Sequence, residues 1–174
     1  MKTIYNYTII FLFLFVLATS INSLSSIISI CGGTNLVYAG ESVALSKGQT
    51  LYVPAYSHIY AGDRELPMLL TVTLSIRNVD INHSITVGYA DYYGTKGELI
   101  RRYAEKPVVL KPLESIRYVV PQKDKSGGSG ANFMVEWKSE KNVNPPIIES
   151  VMIGAEGQQG ISFTSRGQVI TTVN

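Results

Sequence analysis

Two glycine-rich stretches are the residues whose types and spacing come nearest to a ligand-binding loop. Ser126-Gly127-Gly128-Ser129-Gly130-Ala131-Asn132 lets the main chain curl and a ligand approach closely, so that successive backbone N–H groups can face an anion or a sugar oxygen. The stretch has no Lys-Ser/Thr of a nucleotide-binding P-loop, and Gly128-Ser129-Gly130 is not the Gly-x-Ser-x-Gly of a nucleophile elbow. A hairpin loop is the simpler reading of it. The second stretch, from Gly154 to Gly160 with Gln158 and Gln159 inside it, carries the same backbone freedom. If the fold brings both loops to one end, Asn132, Gln158, Gln159 and Arg166 would join them in a shared binding surface. Tyrosine is the other unusual feature, with 11 copies. Tyr52, Tyr56 and Tyr60 share strand parity with His58, while Tyr89, Tyr92 and Tyr93 crowd one later region. Such side chains stack on sugars or dock peptides because a broad apolar ring carries a polar tip. They are also among the best strand formers, which explains them without a ligand.

Metal and catalytic chemistry find less to work with. His58 and His83 are the only histidines and Cys31 is the only cysteine, so a transition-metal site would need all the fold's help to gather its ligands. Asp63-Arg64-Glu65 and Asp80-x-Asn82 have oxygen ligands, yet neither has the charge density or spacing of a dedicated calcium loop. His83 lies in Asn82-His83-Ser84, a glycosylation sequon only in a eukaryotic host. No nucleophile, base and orienting acid stand out together, and nothing selects a carboxylate pair from the 13 acidic residues. The expectation is a protein with no cofactor and no metal that is not an enzyme. A formal net charge of +2 removes the electrostatic case for a nucleic-acid partner. With hydrophobic residues at 45% and charged residues at 16%, the chain has the composition of a folded domain.

The elements that must position these residues are strands. From Leu66 to Ile76 the even positions are apolar and most odd ones polar, the period of a strand with one buried face. Asn78, Asp80 and Asn82 break the pattern, and Ile85, Val87 and Tyr89 resume it towards Tyr93. Gly94-Thr95-Lys96-Gly97 then predicts a hairpin turn into Leu99–Tyr103. Val108–Leu110 and Ser115–Val120 follow, bounded by Pro107, Pro112 and Pro121. Phe133, Val135 and Trp137 alternate with polar neighbours, which directs the single tryptophan inward. Ile147–Ile153 and Ile161–Ser165 complete the set, the latter as the last clear strand, and Leu51–Tyr60 is a further candidate, broken or bent at Pro54. Seven to nine short strands with no helical periodicity predict an all-β fold, a single antiparallel β-sandwich with Greek-key, immunoglobulin-like connections, with a closed barrel as the alternative.

The N-terminus carries its own signal. Lys2 precedes an unbroken apolar run from Ile9 to Leu17, the length of a signal-peptide core and too short for the ~20 residues of a membrane span. Ala18 and Ser20 place a cleavage site before Ile21, with Ser23 and Ser25 as a second one. The expected organisation is a signal peptide over residues 1–20, or to 25 with the second site, a flexible segment over 21–45 and the β-sandwich over 46–174. An uncleaved anchor is the competing reading, since no charge interrupts Thr3 to Val37. Lipidation at Cys31 is disfavoured by the bulky Ile30 before it.

Four stretches together are distinctive: Tyr52-Val53-Pro54-Ala55-Tyr56-Ser57, Leu74-Ser75-Ile76-Arg77-Asn78, Gly127-Gly128-Ser129-Gly130-Ala131-Asn132-Phe133, and Gln158-Gln159-Gly160-Ile161-Ser162-Phe163. Through them the chain resembles an uncharacterised bacterial family of exported proteins, domain-of-unknown-function family 3124. The resemblance implies export or lipid anchoring and no particular activity or site residues. The expected role is a non-catalytic binding or interaction module of the bacterial envelope, periplasmic or secreted, with an envelope protein or a glycan as partner. A carbohydrate- or peptide-binding protein using the Tyr-rich face and the Gly-rich loops is the first alternative, and an envelope hydrolase the second. Membrane contact would come only from a retained signal anchor or from Cys31.

Overall fold

The computed structural model describes residues 44–63, 65–156 and 159–173. The expected signal segment, most of the 21–45 segment, Cys31, Arg64 and Gln158 lie outside the described residues. The described chain is all β, with no helix among those residues. Its strands are β1 (Ser46–Pro54), β2 (His58–Ala61), β3 (Leu66–Leu69), β4 (Thr71–Arg77), β5 (Ile85–Tyr93) and β6 (Leu99–Arg102). They continue with β7 (Val108–Leu110), β8 (Ser115–Val120), β9 (Asn132–Val143), β10 (Ile147–Glu156), β11 (Gln159–Arg166) and β12 (Gln168–Val173).

One sheet runs β12-β1-β9-β5-β6, with β7 also pairing β5, and a second runs β11-β10-β4-β8. A small hairpin of β2 and β3 stands apart from both. Every described pairing is antiparallel, and both large sheets are open at their edges, which excludes the closed barrel. Period-2 alternation builds the core. Leu51 and Val53 from β1, Phe133, Val135 and Trp137 from β9, and Tyr92 from β5 meet Val72, Leu74 and Ile76 from β4 and Met152 from β10 in one buried cluster. Burying each of these side chains contributes about 1.5–3 kcal/mol, enough to set the register against a one-residue slip.

Prolines and polar clusters end the strands where the sequence predicts. Pro54 closes β1, Pro121 follows β8, and Pro145-Pro146 separate β9 from β10. The expected strand from Leu66 to Ile76 is two strands, because Leu70 donates its N–H out of line to the Ser57 carbonyl (2.9 Å). Leu66 is consequently exposed, whereas Leu70, Leu74 and Ile76 are buried as expected. The last strand legible in the sequence ends at Ser165. The structure adds β12, which has no buried position and therefore no alternation to find.

β11 and β12 are one strand direction shared between two sheets. β11 pairs β10 from Gln159 to Arg166, and after Gly167 the chain crosses to pair β1. Gly167 donates its N–H to the Ile148 carbonyl (2.8 Å), and a Cβ there would stand 3.1 Å from that oxygen and 3.1 Å from Val53 Cγ2. The close approach favours glycine at the crossing.

Candidate functional site

Gly88 decides which side chains of β5 face away from the core. Val87 pairs with Trp137 and Tyr89 with Glu136, leaving Gly88 as the extra residue of a β-bulge. Ile85 and Val87 are buried before it, Ala90 and Tyr92 after it. Tyr89, Asp91 and Tyr93 therefore turn to the outer face, and the alternation predicted through Tyr89 holds only as far as Val87. A Cβ on Gly88 would lie 2.8 Å from Glu136 Oε1, so the Glu136 carboxylate rests over the bulge.

Register then assembles a surface on the outer face of the larger sheet. Tyr52 pairs with Met134, Met134 with Asp91, and Asp91 with Arg102. Thr50, Glu136 and Tyr89 form the next row, and Pro54, Asn132 and Tyr93 the one beyond. With strands about 4.8 Å apart and about 3.4 Å per residue, the patch measures roughly 14 Å on each side. Tyr52 is 38% exposed. Arg102 Nε stands 3.9 Å from Asp91 Oδ2, and Lys138 Nζ 2.9 Å from Glu136 Oε1, so each carboxylate faces one cation. Both cations are largely exposed, and such pairs contribute little stability. Asp91 Oδ1 is sealed from solvent and has no hydrogen-bond partner.

The first glycine loop is tied down at one end of the strands. Thr95 donates its N–H (3.0 Å) and its hydroxyl (2.9 Å) to the Gly127 carbonyl, and its Oγ1 accepts the Gly130 N–H (3.0 Å). Ser57 N–H donates to the Gly128 carbonyl (3.0 Å), and Gly128 holds a φ of 75° that disfavours any other residue. The Gly127 Cα lies against Tyr92, whose hydroxyl shares a 2.9 Å hydrogen bond with Ser57 Oγ. Beneath the loop Tyr92 and Phe133 have ring centroids 4.9 Å apart, and Tyr103 and Tyr118 extend the aromatic cluster. Burial pushes the Tyr92, Tyr103 and Tyr118 phenols above their ordinary range. Beside them the Ser126 hydroxyl and N–H hold the Asp124 carboxyl below its ordinary value, with Arg101 3.8 Å away.

Gly154, which opens the second glycine stretch, lies at this end too: Leu70 donates to the Ser57 carbonyl, and Gly154 abuts Leu70 and the Leu69 carbonyl. Asn132 opens β9 here as well, between Pro54 and Tyr93. Gln159 pairs with Glu156 at the start of β11. Arg166 does not join them. It stands at the far end of β11 opposite Glu149, in a cleft of about 360 Å³ with Leu51, Pro145, Pro146 and Val169. The chain bends between β1 and β2, which scatters the three tyrosines of assumed common parity. Tyr52 lies on the outer patch, Tyr56 meets Phe163 edge-on at 5.8 Å, and Tyr60 meets His58 at 5.2 Å.

The opposite end holds a buried polar node. Asp80 Oδ1 accepts the N–H groups of Asn82 and His83 (both 2.9 Å), and Oδ2 accepts that of Asn144 (3.1 Å). These donors, the Asn82 amide foremost, hold the Asp80 carboxyl far below the ordinary range. Asn78 donates to the carbonyls of His83, Leu110 and Lys111, so the node laces three loops together. His83 Nδ1 is 3.2 Å from Asp80 Oδ1 and borders a cleft of about 480 Å³ with Ser84, Ser139 and Lys141. Ser139 directs its hydroxyl to the Ser84 carbonyl (3.1 Å), not to the imidazole. His58 and His83 thus sit at opposite ends of the strands.

Met134, Glu136, Asp91 and Arg102 are not among the site residues expected from sequence, whereas Tyr89 and Tyr93 stand there only within a crowd of tyrosines. The available signal was Gly88 itself, a glycine inside a β-branched and aromatic run, which marks a bulge and a change of parity. The molecule is an all-β protein of two open antiparallel sheets whose larger sheet presents tyrosines and paired charges on its outer face. The chain belongs to the family described as a protein of unknown function (DUF3124), which matches residues 48–170. No curated protein matches it. The structure titled crystal structure of Thermotoga maritima 1070 is similar over 69% of this chain and 92% of its own, at 12% identity and a TM-score of 0.42.

Proposed function

We propose that the two sheets form a β-sandwich with Greek-key, immunoglobulin-like connections and that the protein is a non-catalytic binding module exported to the bacterial envelope. One observation carries the binding role: the Gly88 bulge places Tyr89 and Tyr93 beside Tyr52 and Met134 on a sheet face where they add nothing to the core. Tyr52 is exposed and Tyr89, Tyr93 and Met134 are half-buried, and aromatic surface with a polar tip has its use in recognition. The apolar run from Ile9 to Leu17 supports export. The test is amide chemical-shift mapping of the full chain against fractionated envelope extract. Shifts gathered at Tyr52, Tyr89, Tyr93 and Met134, and lost in Tyr89→Ser with Tyr93→Ser, are the expected result. Shifts elsewhere, or none, refute it.

The pair of His83 with Asp80 favours a second reading, a hydrolase acting in the adjoining cleft. Its requirement is a nucleophile within reach of His83, and Ser139 is turned away. Ester or peptide hydrolysis abolished by His83→Ala with unchanged thermal stability would establish it.

A further inference from the structure

The outer face of the larger sheet contains a polar atom that the protein leaves unsatisfied. Asp91 Oδ1 is enclosed and accepts no hydrogen bond, although Oδ2 of the same carboxylate has Arg102 at 3.9 Å. A buried acceptor without a donor is costly, and few survive in native proteins without a use. Its neighbours in the register are Met134 and Arg102 across the sheet and Tyr89 and Tyr93 along the strand. Arg102 faces Oδ2 and its side chain is 68% exposed, so turning it aside frees the Oδ2 side of the carboxylate for an incoming donor.

We infer that this face binds a neutral glycan, a conclusion that rests on reading the face as a binding surface. Charge selects the class. Asp91 is matched by Arg102 and Glu136 by Lys138, so the patch has no surplus charge with which to hold a cationic or an anionic partner. The rings of Tyr52, Tyr89 and Tyr93 on this face suit the C–H face of a pyranose, and a sugar hydroxyl donates to the Asp91 carboxylate in place of Arg102. Arg102 N–H groups donate in turn to a second hydroxyl oxygen. The extent of the patch, roughly 14 Å each way, fits a short oligosaccharide.

The test uses the full chain with cellopentaose, maltopentaose and chitopentaose as neutral probes, pentalysine as a cationic one and heparin as an anionic one. Binding of at least one neutral pentasaccharide, with shifts at Tyr52, Tyr89 and Tyr93, is expected. Asp91→Leu removes the acceptor without changing shape and weakens that binding about tenfold or more while the thermal midpoint does not fall. Arg102→Gln, at an exposed position, weakens it too and covers the case in which Asp91→Leu fails to fold. Tighter binding of pentalysine or heparin than of any neutral sugar overturns the inference. Silence of all three neutral sugars also overturns it, and if envelope extract still shifts the same residues, the face is a binding surface for something other than a neutral glycan.

Discussion

Gly127→Ala separates a loop that is part of the fold from a loop that waits for a ligand. Gly127 is not a positive-φ glycine, so alanine is tolerated by its backbone and the cost is steric alone. The added Cβ would overlap the Tyr92 hydroxyl and stand 2.7 Å from the Ala131 Cβ. Tyr92 has no exposed surface and packs on Phe133, so its ring has nowhere to go. Overpacking a filled site costs about 1–3 kcal/mol, and losing the hydrogen bond between Tyr92 and Ser57 about 0.5–1.5 more. A stiffer unfolded chain returns ~0.4–1 kcal/mol, leaving a net loss of about 0.5–4 kcal/mol. Urea denaturation followed by Trp137 fluorescence measures it through the midpoint. In a Tyr92→Phe background the same substitution should cost less, because the overlapped oxygen is gone, and the difference reports their coupling. An unchanged midpoint for Gly127→Ala would refute the reasoning, since the loop would then be free to move off Tyr92 and offer its backbone to a ligand.

Trp137 is fully buried with its indole N–H unpartnered, so Trp137→Ala should cost about 3–5 kcal/mol, whereas Trp137→Phe should stay within about 1 kcal/mol of the parent because relief of the orphaned donor offsets lost packing; far-UV circular dichroism melts check both. Asp80 and Asp124 both have folded-state values below those of the unfolded chain, so the stability they add is complete above about pH 5 and drains away as pH falls through ~4 and below. Asp80→Asn should flatten that acid limb in thermal melts taken across pH, and an unchanged slope would contradict the account of its amide donors. Leu113 holds a φ of 62° at an exposed turn, a conformation costly for leucine, so Leu113→Asn should raise stability by about 0.5–1 kcal/mol in the same melts.

Where one face of a strand meets the core, the residues spelled it out. Phe133, Val135 and Trp137 are buried as their alternation requires, β7 and β8 have the expected bounds, and the Gly94–Gly97 hairpin is present with Gly97 at a φ of 81°. Legibility failed for two physical reasons. β12 is solvent-exposed at every position, so its six residues carry no periodicity, only β propensity. Gly88 inserts one residue into β5 and reverses parity beyond it, so Tyr89 reads as core when its side chain faces out. The outer patch depends on four strands in register, a long-range arrangement that no local window contains. The glycine loops were visible as loops, but their anchoring by Thr95, Ser57 and Tyr92 joins residues far apart in the chain.

The crossing at Gly167 has a consequence for the order of assembly. β1 is the first strand of the described fold, yet both of its neighbours come late: β9 begins at Asn132, and β12 ends at Val173. During synthesis β1 must therefore wait, with both hydrogen-bonding edges vacant until β9 has been made and one of them vacant until β12 follows. Such non-local closure makes for slow folding and a long interval in which an apolar strand is open to wrong partners. Shortening the C-terminus by the β12 residues would prolong that interval indefinitely on one side of β1, so premature termination near Gly167 should yield aggregates before it yields a merely weakened protein.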